Sequence, residues 1–250
     1  MIMYHQLKSA FMDLVRDNGL IESEINIKAR QLKPIEAIGE TERKDFPLLQ
    51  GKESLIQAEF RGSLGQAFTD MPRSYAGKIK DILDMELRSN GDRAIFISAL
   101  NAVMRYIENI DKTVHCKNDE PEICAKNIAA NIINRYGINI NVGIIGFQPA
   151  IIDNIAKMIP VEKVMVNDLD INNIGKKKYG VVIWDGKIMK EDIFIRSDVI
   201  LATGSTIVNN TLESLVNYAD KHNKPIYFYG TTIAGPANIL NLNRLCPMAS

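Results

Sequence analysis

Three short apolar runs in the second half of the chain constrain its fold most. They are Val142-Gly-Ile-Ile-Gly-Phe147, Asp198-Val-Ile-Leu-Ala-Thr-Gly-Ser-Thr206 and Pro225-Ile-Tyr-Phe-Tyr-Gly-Thr-Thr-Ile-Ala-Gly235. Each stops at Gly, Ser or Thr just before a helix-like pattern. Near-continuous apolar runs of this length are how parallel strands buried on both faces read in sequence. Where such strands end on small polar residues, their carboxyl ends open onto a ligand crevice.

The segments around these runs complete a β-α-β order. A helix is predicted over 119–136, with Asp119 as N-cap, Pro121 in the first turn and Tyr136-Gly137 at the end. Strands at 141–147, 163–168 and up to Thr203 alternate with helices at 149–159 and 206–222, and a last strand covers 225–229. A short helix or turn follows over 236–243, and Asp185-Gly186 reads as a hairpin turn between 180–184 and 187–189. In the first half, Leu7, Phe11, Leu14 and Val15 mark a helix over 5–17. The alternation of Ile25, Ile27 and Ala29 suggests a strand, and 54–60 a second one. Gly62, Gly65 and Pro72 mark 61–72 as a loop. A helix carrying Ile79, Ile82, Leu83 and Leu87 is expected to end at Asn90-Gly91, and a mostly buried helix covers 92–108. The expected fold class is α/β: a mostly parallel sheet with helices on both faces over 113–250, after a smaller α+β domain over 1–112.

Composition removes several function classes. Thirty Lys and Arg balance thirty Asp and Glu, so nothing global attracts nucleic acid or an anionic membrane. No apolar run approaches the roughly 20 residues that span a bilayer, and Met1-Ile-Met-Tyr-His-Gln-Leu-Lys8 lacks the form of a signal peptide. Three cysteines do not suggest a disulfide framework, which places the chain in a reducing cytoplasm.

The crevice candidates sit at the strand ends. Gly146, with Gln148 and Pro149 after it, lacks the Gly-x-Gly-x-x-Gly spacing of a dinucleotide loop, which argues against ordinary NAD binding. Asp168 ends the second strand, where a carboxylate accepts ribose hydroxyls; Asp170 does the same work or caps its turn. Thr203, Gly204, Ser205 and Thr206 join a strand to a helix whose first N–H groups suit a phosphate or carboxylate, and Asn209 adds a polar group. Gly230, Thr231 and Thr232 repeat the arrangement at the next strand. Two well-capped helices explain the same residues without a ligand. Lys176-Lys177-Lys178 reads as a solvated turn or as steering for an anion.

A separate cluster has metal-ligand chemistry. His115, Cys116 and Cys124 fall within ten residues, and Cys246 lies near the C-terminus. Three thiols and an imidazole suit zinc or another soft transition metal, and three thiols suit an iron–sulfur cluster with an open position. The Cys-x7-Cys spacing is not a standard zinc knuckle, and Cys124 also reads as a small buried helix residue.

The segment from Asp198 to Glu213 resembles the hallmark segment of the putative heavy-metal chelation family, domain of unknown function 364. Tyr229-Gly-Thr-Thr-Ile-Ala-Gly-Pro-Ala237 matches its next loop more loosely, and Ile97-Ser-Ala-Leu-Asn-Ala102 resembles a segment that precedes the Rossmann-like part. The resemblance implies a Rossmann-like domain preceded by an enolase N-terminal-like domain, with the site in the cleft between them. It also implies that Thr203–Thr206 and Asn209 line that site and that Asn101 faces it from the other side. Arg61, beside Gly62, is expected to help Asn101 close the cleft.

The expected function is binding or processing of a small anionic, ring-containing or metal-bearing cofactor in the interdomain cleft, within heavy-metal chelation or cofactor metabolism. One alternative is an S-adenosylmethionine-dependent methyltransferase, supported by Asp168 and weakened by the first loop. Another is a non-catalytic metal-delivery protein. The expected partners are a small-molecule anionic ligand and a second copy in a homodimer, with no nucleic acid and no membrane.

Overall fold

The computed structural model describes residues 2–21 and 27–250. It contains two sheets and the helices that cover them. The first sheet is antiparallel, in the order β3-β2-β1-β4, from β1 (Ile27–Gln31), β2 (Ser54–Phe60), β3 (Ser63–Thr69) and β4 (Tyr75–Gly77). The second has the order β10-β9-β5-β6-β8-β7, from β5 (Val142–Ile145), β6 (Val164–Asp168), β7 (Lys177–Lys178), β8 (Val181–Asp185), β9 (Val199–Thr203) and β10 (Ile226–Tyr229). All its neighbours are parallel except β7, which pairs antiparallel on β8. The fold is therefore α/β with a mostly parallel sheet and a smaller antiparallel one, as the sequence led us to expect.

Beginning from central β5, the chain winds out through β6 and β8, then returns to β9 and continues to β10. The strand order reverses between β5 and β9. This is the topological switch point of a doubly wound sheet, where a crevice opens beyond the carboxyl ends of the strands. All four residues of β5 are buried, which explains its unbroken apolar run.

The helices follow the chain as α1 (Ile2–Asp17), α2 (Pro34–Ile38), α3 (Ile79–Asp84), α4 (Asn90–Tyr106), α5 (Glu120–Tyr136), α6 (Pro149–Met158), α7 (Asp192–Arg196), α8 (Leu212–Lys221) and α9 (Ala234–Ile239). Helix α1 buries Tyr4, Leu7, Phe11 and Val15, one stripe at helical spacing. Helix α4 is buried nearly all round, including Ser98 and Asn101. It begins in a reciprocal capping box: Ser89 Oγ accepts the Asp92 N–H at 3.1 Å, and the Asp92 carboxylate accepts the Ser89 N–H at 3.0 Å. No helix among the described residues is long and apolar enough to cross a membrane.

Four sequence expectations are corrected. Residues 61–72 are not a loop: 63–69 form β3, and Arg61-Gly62 make the two-residue turn back from β2, both with positive φ (49° and 83°). Gly65 misled because a strand glycine also marks a close backbone approach. A Cβ there would lie 2.2 Å from the Ala102 amide nitrogen and 2.3 Å from the Ser98 carbonyl oxygen, both in α4. Asn90-Gly91 opens α4 instead of closing α3, because Ser89 caps it. The hairpin turn on β8 is Tyr179-Gly180, with φ of 52° and 84°, and not Asp185-Gly186. Asp185 Oδ1 accepts the Lys187 N–H at 2.8 Å, which turns the chain toward α7. The helix expected over 206–222 is a 3-10 turn at Gly204–Thr206, a further turn, and then α8 from Leu212. Ile25, at the start of the expected first strand, lies outside the described residues.

Gly65→Ala is expected to lower the urea midpoint at unchanged slope, by ~1–3 kcal/mol for an overpacked site, since backbone on α4 cannot move aside. Stability unchanged within error would show that β3 and α4 separate easily.

Candidate functional site

The carboxyl ends of β5, β6, β9 and β10 open into one cavity of about 570 Å³. The opposite wall comes from the end of β3 (Phe68, Thr69), from Asp70 and Asn90, and from Phe46–Leu48, Lys52 and Glu53 before β2. A third side is made by His115, Cys116 and the start of α5, with Cys246 from the C-terminal segment. That segment is held by the Leu245 N–H on the Phe228 carbonyl (2.8 Å) and by Ser250, whose N–H and carbonyl pair with Val114.

Most residues singled out in the sequence line this space: Gly146, Gln148, Asp168, Asp170, Thr203–Thr206, Asn209, Gly230 and Thr232, with His115, Cys116, Cys124 and Cys246. Three others do not. Asn101 is fully buried and faces no ligand; its Nδ2 donates to the Gln66 carbonyl (3.0 Å) and the Thr231 and Thr232 carbonyls, and its Oδ1 accepts the Gly235 N–H at 2.7 Å. It joins β3 to the loop after β10. Arg61 bonds the exposed Tyr106 hydroxyl at 2.6 Å and closes no cleft. Thr231 is buried away from the cavity, its hydroxyl without a partner. Lys177 and Lys178 are exposed on edge strand β7 and do not line the cavity.

Many lining groups are already engaged. Gln148 caps α6, accepting the Ile151 N–H at 2.8 Å. Thr203 Oγ1 accepts the Ser205 N–H at 3.3 Å, Thr206 Oγ1 donates to the Thr203 carbonyl at 2.9 Å, and Thr232 Oγ1 accepts the Phe68 N–H at 3.0 Å across the cleft. Gly204 opens a three-residue 3-10 turn, so the expected row of free helix N–H groups is absent there. Gly146, at φ 92°, brings the chain so close to Thr203 that a Cβ would lie 2.7 Å from its Cγ2. The Asp168 carboxylate accepts the Phe147 and Asp170 N–H groups, each at 2.6 Å. Burial raises its pKa, against the pull of those bonds.

Two residues that sequence reasoning missed change the character of the site. Glu53 and Asp70 line the cavity with Asp168 and Asp170, against Lys52 as the one basic group in the lining. Lys52 is 3.1 Å from Asp170, and Asp70 accepts a bond from Asn90 at 2.8 Å. Among the described residues Glu53 has no hydrogen bond and no ion pair. Burial, then the charges of Asp168 and Asp70, push its carboxyl up to about 7. No spacing signal marks Glu53 in the sequence; only the approach of the loop before β2 to the sheet ends brings it in. An expectation of an anionic ligand therefore meets a wall with four carboxylates and one ammonium.

The thiols do meet. Cys124 lies beside both Cys116 and Cys246, and all three are free. The neighbouring Cys116 thiol, with burial, pushes Cys124 up to about 11, and the neighbouring Cys124 thiol together with burial raises Cys246 well above the usual thiol range. His115 Nδ1 is buried without a partner, and burial pushes the imidazole down to about 4. The donor chemistry suits a soft metal. The arrangement does not: among the described residues no group of three or more His, Cys, Asp or Glu is set to hold a metal ion. The three thiols share the cavity wall.

The comparisons with known proteins bear on the fold. Residues 132–235 match DUF364, the family described as putative heavy-metal chelation. That span covers β5 to β10, and so the sheet side of the cavity. A DUF364 protein of unknown function from Pyrococcus horikoshii, in its crystal structure, superposes with a TM-score of 0.52 at 18% identity, covering 93% of this chain and 79% of that one. At that identity the match shows the fold alone. A second DUF364 protein of unknown function, from Desulfitobacterium hafniense DCB-2, gives a TM-score of 0.47 at 13% identity over 76% of this chain and 73% of that one. No curated protein matches the chain.

The raised Glu53 and the depressed His115 leave opposite marks on stability. With a folded pKa near 7 against about 4.5 unfolded, Glu53 binds more protons when folded, so its contribution falls as pH rises from about 4.5 to 7. His115, near 4 folded against about 6.5 unfolded, makes stability rise with pH over about 4 to 6.5. The two partly cancel in the native chain. Glu53→Gln is expected to expose the His115 rise and to be more stable than the native chain at pH 8, with the gain shrinking toward pH 4.5. Parallel melting-temperature curves for the two proteins across that range would refute the raised carboxyl.

Proposed function

We propose that this chain binds and processes a small organic cofactor in the cleft between its two sheets, at the switch point of the parallel sheet. The observation that supports it most is the single cavity of about 570 Å³, within the range of small-molecule sites. Its lining combines hydroxyls, carboxylates and backbone turns at four strand ends with further carboxylates from the facing wall and thiols from the third side. Aromatic and aliphatic side chains, among them Phe46, Phe68, Phe147 and Leu215, supply the apolar surface a ring or chain would cover.

The heavy-metal description of the family enters this reading only through the cofactor. The residues present form no ready-made ion site, and a soft ion would have to displace the protons held by Cys124 and Cys246. A dinucleotide or S-adenosylmethionine fits less well. The first loop has one Gly at its turn, and each Asp168 oxygen already accepts a backbone N–H.

Native mass spectrometry of anaerobically purified protein, with metal content measured on the same sample, tests the proposal. We expect an added organic mass that is lost in Asn209→Trp, which places an indole on the cavity wall. A bare mass in both proteins, together with no thermal shift of the native chain against a metabolite library, would overturn it.

A further inference from the structure

We propose that the ligand of this cleft presents a cationic nitrogen, a primary ammonium or similar group, to Glu53. The inference rests on the cleft being a ligand site and names the chemical class it takes.

The argument is one of charge left uncompensated. Each neighbouring carboxylate has a partner. Asp168 accepts two backbone N–H groups, Asp170 holds Lys52, and Asp70 accepts the Asn90 amide. Glu53 alone has none among the described residues, yet it faces the cavity beside Asp168 and Asp70. A carboxyl so placed has two stable conditions. It keeps its proton, or it loses it to solvent while a cation takes the proton's place. The raised pKa agrees with the first condition for the empty cavity. An anion would add charge to a wall that is already negative. A metal ion lacks its ligand set, since no three acidic, thiol or imidazole groups of the described residues are arranged for one. An organic cation needs no such set. One ammonium donates up to three hydrogen bonds, and the carboxylates of Glu53 and Asp70 are the acceptors on hand. The proton step balances: Glu53 in its acid form releases one proton to water as the cation binds, and no bond to carbon is made or broken.

The test uses NMR on the full chain, labelled with nitrogen-15 in the amides and carbon-13 in the glutamate carboxyl groups, with putrescine as the cationic probe and inorganic phosphate as the anionic one. Putrescine is expected to perturb the amides of Thr203–Thr206 and to lower the Glu53 titration midpoint. Glu53→Gln is expected to weaken it by about tenfold or more, as for loss of a charged hydrogen bond. Asp70→Asn, which leaves Glu53 in place, is expected to weaken it less. If phosphate perturbs the cavity and putrescine does not, or if Glu53→Gln binds putrescine as well as the native chain, the inference falls while the ligand site stands. If neither probe perturbs the cavity and native mass spectrometry shows a bare chain, both fall.

Discussion

The contact of α4 with both halves of the molecule sets everything else. On one side Gly65 of β3 lies so close to the helix that no side chain fits between them. On the other, a Cβ at Gly235 of α9 would lie 2.8 Å from the Asn101 Oδ1 and 3.0 Å from the Met104 sulfur. Asn101 spans the gap, with its amide shared between the Gln66 carbonyl and the loop after β10. A helix buried all round has no freedom to shift, because protein interiors are packed to crystal density. The two sheets are thereby held in one relation, and the width of the cleft between them follows from it. The Thr232 hydroxyl on the Phe68 N–H and the Arg93 bond to the Val208 carbonyl add to the same junction.

Given that frame, the placement of acidic groups in the cleft is costly. Glu53, Asp70, Asp168 and Asp170 line one cavity, and nothing in the packing of α4 requires Glu53 to be there. Above neutral pH an uncharged side chain at that position is expected to stabilise the fold. Groups that work against stability in this way cluster at sites of function, where burial and like charges shift a pKa toward the working range. The thiols opposite are of another kind. The pKa values of Cys124 and Cys246 are raised, which is the condition of inert cysteines and not of nucleophiles or prepared metal ligands.

The sequence made the parallel sheet legible because buried strands leave apolar runs and their ends leave Gly, Ser and Thr. Val142–Ile145, Val199–Thr203 and Ile226–Tyr229 all form strands where those runs lie. Local signals failed where two meanings share one residue type. Gly65 breaks a loop or admits a helix; Asp185-Gly186 turns a hairpin or starts an Asx turn; Asn90-Gly91 ends a helix or begins one. For Gly65 the deciding partners, Ala102 and Ser98, are distant; for Asn90-Gly91 and Asp185-Gly186 the local signal has two meanings, settled by the Ser89 cap and the Lys187 N–H. The site showed the same division. Residues at strand ends were legible because topology forces them together. Glu53 and Asp70 were not, since they reach the cleft only through the fold of the other half. Asn101 was legible as polar and buried, but its geometry makes it a brace between backbones.

That division bears on the chemistry of the ligand. Read from the strand ends alone, Thr203–Thr206 and Gly230–Thr232 point to an anion, because small residues before helices commonly seat phosphate. The structure removes the helix from the first loop, commits its hydroxyls to local bonds, and leaves α9, six residues long, after the second. The charge of the cleft then comes from carboxylates on both sides, Asp168 and Asp170 at the end of β6 and Glu53 and Asp70 on the facing wall, against Lys52. The segment that matches DUF364, residues 132–235, supplies the strand ends with Asp168 and Asp170, while Glu53 and Asp70 come from outside it. A protein sharing the sheet but lacking an acid at the place of Glu53 would keep Asp168 and Asp170, so the loop before β2 sets how acidic the crevice is.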